Sequence, residues 1–129
     1  MSLQLLTRTK AHIIDVGNLL AAYSVKYYRW SDADLKGSAS VALFRSPGTS
    51  GESDPVAQQN DVSLFLLTSP SLVTQADADM LAVQRYLRTD FESANVFSYV
   101  PLGGYSGPTY LDNGRAMFEM LIRCSTEDH

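Results

Sequence analysis

The sequence reads as an α+β domain, a two-layer sandwich with two helices packed on one face of a mostly antiparallel sheet. Two stretches repeat apolar residues at helical spacing, one near the N-terminus and one from Thr74 to Phe91. Five other runs alternate, or are rich in β-branched and aromatic residues, and these read as strands. Strands joined by short connections pair antiparallel, and two amphipathic helices can cover one face of such a sheet. The order is helix, three strands, helix, two strands. It fits a single domain over residues 1–129, with no repeat and no linker. A chain of this size buries about two-thirds of its unfolded surface and needs no covalent staple.

The first helix is expected from residue 3 to about 23. Leu6, Ile13, Val16, Leu20 and Tyr23 fall on one face, and Gly17 either weakens the helix or admits a close neighbour. Residues 25–30, VKYYRW, form a strand. Val25, Tyr27 and Arg29 point one way and Lys26, Tyr28 and Trp30 the other. Neither face is purely apolar, which suits a sheet edge or a strand beneath a partner subunit. The turn 31–37 follows; its Asp32 and Asp34 fall short of the six to eight oxygens that calcium takes.

Residues 39–45 form the second strand, with Val41 and Leu43 opposite Ala42 and Phe44. Residues 46–60 are rich in Gly, Ser, Pro and Asp, without apolar periodicity, and are expected to be a long mobile loop. The third strand, 61–67, is apolar on both faces and so central. Thr74 and Asp77 match a capping box opening the second helix. Ala76, Met80, Val83, Leu87 and Phe91 are its buried stripe; Asp79, Arg85 and Arg88 read as a solvated face. The fourth strand holds Val96, Phe97, Tyr99 and Val100. Pro101–Gly114 is expected to be a long Gly-rich connection. In residues 115–124, Ala116, Phe118, Met120, Ile122 and Cys124 share the core face, and 125–129 reads as a polar tail.

Composition excludes several functions. Fourteen acidic residues against ten basic ones give a net charge of −4, with no basic run, which argues against a dedicated nucleic-acid binder. Tyr and Trp on a mixed strand fit a protein interface better than a base-stacking platform. The single cysteine, Cys124, excludes an intrachain disulfide and reads as an inert core thiol. No signal peptide and no apolar run of membrane-spanning length is present, so a soluble, unexported protein is expected. His12 and His129 lack the partners of a triad or metal cluster. Gly103-Gly104-Tyr105-Ser106-Gly107-Pro108 lacks the Gly-Lys-Ser/Thr ending of a phosphate loop. No catalytic, cofactor-binding or metal-binding residue is assigned.

The element order, the length and the GGYSGPTY stretch leading into the closing strand resemble the tail terminator proteins of long-tailed bacteriophages, the lambda-type minor tail protein U family, whether phage- or prophage-encoded. The resemblance spans Leu3 to Cys124. It implies a non-enzymatic structural protein that needs no cofactor and forms a hexameric ring of identical subunits. The ring would cap the tail tube and meet the head–tail connector, with no sequence-specific nucleic-acid binding and no membrane. Such a protein is made in the host cytoplasm and resides in the virion tail. The resemblance also puts subunit contacts at 46–60, 101–114 and 25–30. The residues singled out there and nearby are Tyr27, Tyr28, Trp30, Arg45, Tyr105, Tyr110 and Arg115. The alternative is a small cytoplasmic ligand-binding or regulatory α+β domain without catalysis.

Overall fold

The computed structural model describes residues 3–29, 39–45, 57–90, 92, 96–111 and 113–127. The first helix, α1 (Leu3–Lys10), runs into a π-helical turn, Ala11–Val16. Strands β1 (Ser24–Tyr27), β2 (Val41–Arg45) and β3 (Ala57–Thr68) follow, then a 3-10 turn at Pro70–Leu72 and α2 (Val73–Thr89). Strands β4 (Val96–Tyr110) and β5 (Ala116–Glu127) complete the order helix, three strands, helix, two strands.

The five strands make one sheet in the order β1-β2-β3-β5-β4. β1 lies parallel to β2, and the other three pairings are antiparallel. β3 is central, as its two apolar faces require, and β1 and β4 are the edges. Leu6, Ile13 and Leu20 from the N-terminal segment and Ala76, Met80, Val83 and Leu87 from α2 join Phe44, Leu64, Leu66, Phe118, Met120 and Ile122 in one buried cluster. Each such Leu or Ile contributes about 1.5–3 kcal/mol by leaving water. On the opposite face Val41, Leu43, Phe65 and Leu67 are buried as well, whereas Glu119 is exposed.

Several expectations need correction. The first helix ends at Val16, because the π turn closes on Gly17 and the chain then turns with Asn18 and Leu20 at positive φ. Leu20 still reaches the core from that turn. The capping box does not form. A 3-10 turn opens with Pro70 and starts α2 at Val73, so Thr74 lies inside the helix and the N-cap has no side-chain bond. β3 begins at Ala57, so 57–60 are strand rather than loop, and 46–56 lie outside the described residues. Residues 125–127 are not a frayed tail; they pair with 57–59. Phe91 lies outside the described residues.

The largest correction concerns Pro101–Gly114. Its first ten residues belong to β4, which uses 15 residues to run beside the 12 of β5. The excess is taken up by register shifts between Val96 and Ser98, Pro101 and Tyr105, and Ser106 and Thr109. Gly103 and Gly104 sit in one shift and Gly107 in another, all at positive φ. A Cβ on Gly107 would stand 2.8 Å from the Met117 carbonyl and 2.9 Å from the Phe118 ring. The glycines bend a strand against the core, as bulges do.

Candidate functional site

The sheet separates the singled-out tyrosines onto opposite edges. On the β1 edge, Tyr27 is half-buried with its ring 6.4 Å from that of Phe44. Tyr28 follows at φ +75 and is 50% exposed. On the β4 edge, Tyr105 packs its ring 6.3 Å from Phe118. Its hydroxyl donates to Asp77 Oδ1 at 2.9 Å. Tyr110, at the far end of β4, is 59% exposed.

The two arginines are engaged within the chain. The Arg45 guanidinium lies 5.1 Å above the Phe65 ring. Arg115 is buried, and its Nη2 donates to the carbonyl of Ala39 and, at 3.4 Å, to that of Leu67. That contact ties the segment before β2 to the β4–β5 turn. Trp30 lies outside the described residues. The six described positions therefore do not form one patch: they mark two edges and the sheet between them.

Sequence reading missed a polar cluster at the ends of the helices. His12, read from the sequence only as lacking catalytic or metal-binding partners, is buried. Its ring stacks on Tyr99 at 4.6 Å, and its Nε2 hydrogen-bonds the Asp90 carbonyl at the end of α2. The Tyr86 hydroxyl donates to the His12 carbonyl at 2.9 Å. Gly17 lies against the same tyrosine: a Cβ there would stand 2.8 Å from Tyr86 Cζ. The two hydrogen bonds join residues more than seventy positions apart, and no local spacing announces them. Asp79, read as solvated, is half-buried and accepts from Tyr23 at 2.8 Å and Gln75 at 2.9 Å.

Burial raises the Tyr23 pKa, and Asp79 adds to the shift by hydrogen bond and charge. Tyr105 moves the same way through burial and then Asp77, with Arg85 opposing. Burial pushes the Cys124 thiol up to about 12, against a lowering contact from Thr9; such a thiol is a poor nucleophile. Across β3 and β5, Asp61 and Arg123 form a two-bond ion pair, with Nε–Oδ1 at 3.0 Å. Among the described residues no three His, Cys, Asp or Glu side chains are grouped to hold a metal ion. Among them, too, no helix is long and apolar enough to cross a membrane.

A scan against protein-family models matches residues 3–128 to the family described as phage tail termination protein. A search of curated proteins finds no match.

Proposed function

The chain belongs to the phage tail termination protein family, and from that premise we propose that it is a non-catalytic tail subunit whose ring caps the tail tube and joins tail to head. The observation that carries the reading is the family match, which takes in every described element. The fold supports it. A ring of identical subunits needs two different surfaces on each copy, related by a rotation that closes. β1 and β4, the edges of the described sheet on its opposite sides, offer two such surfaces. Tyr27 and Tyr28 mark one and Tyr105 and Tyr110 the other.

The partners are then other copies of the chain, six in the ring, together with the tail tube and the head–tail connector. The protein resides in the virion tail after assembly in the bacterial cytoplasm. Net charge −4 without a basic run suits a ring through which DNA slides without adhering. The test is deletion of the gene from the phage or prophage that encodes it, with electron microscopy of the lysate. Tails of irregular length without heads are expected, restored to normal by the chain supplied in trans. Normal virions from the deletion would overturn the proposal.

A further inference from the structure

The turn between β4 and β5 holds a reactive pair that the subunit reading does not use. Of the four asparagines, Asn18, Asn60, Asn95 and Asn113, only Asn113 precedes a glycine. Leu19, Asp61 and Val96 follow the others, and a side chain there crowds any attack by that residue's nitrogen on the asparagine amide; glycine has none. Asn113 is exposed at the hairpin tip, and Gly114 follows at φ +87. The Gly114 N–H donates to the Leu111 carbonyl at 2.9 Å, and the Leu111 N–H donates to the Arg115 carbonyl at 2.8 Å. The Arg115 N–H in turn donates to Asn113 Oδ1 at 3.1 Å. That last bond closes a ring that includes the Gly114 nitrogen. It also polarises the side-chain carbonyl whose carbon would be attacked, as a donor does at an oxyanion site.

We infer that Asn113 is a site of spontaneous deamidation whose pace is set by the closed turn. Loss of the Gly114 amide proton to hydroxide lets its nitrogen attack Asn113 Cγ. The N–Cγ bond forms, the Cγ–Nδ2 bond breaks, and the amide nitrogen leaves as ammonia with a proton from water. Water then opens the cyclic imide. Cleavage of the new N–Cγ bond leaves aspartate. Cleavage of the original peptide bond between Asn113 and Gly114 leaves isoaspartate, with the chain continuing through the side-chain carbon. The sum is one water consumed and one ammonia released, with no oxidant or reductant. The hydrogen that must leave Gly114 is the one bonded to Leu111, so the reaction waits for the turn to open, a local event at an exposed tip. The products differ in fit. Aspartate keeps the oxygen that accepts from Arg115. Isoaspartate adds a backbone carbon between Leu111 and Arg115. It thereby pulls on the buried Arg115 guanidinium, which bonds the carbonyls of Ala39 and Leu67.

Incubation of the full chain at about pH 8 tests the site, read by peptide mapping in the mass spectrometer and by enzymatic methylation of isoaspartate. Asn113 should convert before Asn18, Asn60 or Asn95, and Asn113→Gln should abolish the signal there. The native chain should react at least about fivefold more slowly than the chain in denaturant, the factor equivalent to one net hydrogen bond. Asn113→Asp should melt as the wild type does, whereas the isoaspartyl fraction, separated by chromatography, should melt lower. Earlier conversion at another asparagine, equal rates in the two conditions, or a native chain that never reacts would overturn the inference. An isoaspartyl fraction as stable as the Asn113→Asp variant would overturn the link to Arg115. None of these outcomes depends on what the chain does in a tail.

Discussion

Replacing Gly17 by alanine isolates the packing between the N-terminal segment and α2. Gly17 has φ −78, a conformation alanine adopts freely, so no backbone strain arises. On helix propensity alone the change is favourable by up to about 1 kcal/mol. Space decides against it. The new Cβ would stand 2.6 Å from the Ile13 carbonyl and 2.8 and 2.9 Å from two ring atoms of Tyr86. The ring cannot move cheaply, because its hydroxyl is bonded to the His12 carbonyl. Releasing that bond costs about 1 kcal/mol, and overpacking typically costs about 1–3 kcal/mol. The net expectation is a loss of about 1–3 kcal/mol, or roughly 4–12 °C in Tm for a domain of this size. Thermal unfolding by circular dichroism reads it. In a Tyr86→Ala background the penalty should shrink by at least about 0.5 kcal/mol, as for residues in contact. An unchanged or higher Tm for Gly17→Ala, or an equal penalty in both backgrounds, would refute the reasoning.

Two further outcomes concern titrating groups. With its pKa pushed up to about 12 by burial, Cys124 should resist a thiol-specific reagent at pH 8 in the native protein and react at once in denaturant; rapid native labelling would show an accessible thiolate. Tyr23→Phe removes the hydroxyl that donates to Asp79 and should cost about 1 kcal/mol at neutral pH. The raised folded pKa of Tyr23 gives a sign: its contribution is intact below the unfolded value of about 10 and is lost as pH rises above it. Stability should therefore fall more steeply above pH 10 in the wild type than in Tyr23→Phe, and identical slopes would remove Tyr23 from the alkaline transition.

What was legible in the sequence was periodicity. The α2 stripe from Ala76 to Leu87 and the alternation from Ala116 to Cys124 landed on the core face because burial enforces a period of 3.6 or 2. β3 was placed at the centre because both its faces are apolar. The misses share a cause. Glycine and proline in 101–110 suggested a loop, yet bulges accommodate both residues within a strand that remains paired to β5. Polarity at 57–60 and 125–127 suggested loop and tail, but each supplies the other's backbone partners. His12, Tyr23 and Asp79 carry no local signal, because their partners come from distant parts of the chain. The expected contact regions came from residue type alone; that Tyr27 and Tyr105 share one row needed the sheet order.

β5 follows β4 in the chain but lies between β3 and β4 in the sheet. During synthesis β3 therefore waits with one side unpaired until β5 leaves the ribosome and enters the gap. The ladder it closes joins segments on either side of α2 and β4, and such non-local pairing is slow. Both edges of the subunit acquire their relative positions only at that step. Until then β3 presents an unpaired edge, so the closing strand also removes a site at which a strand of another chain could add.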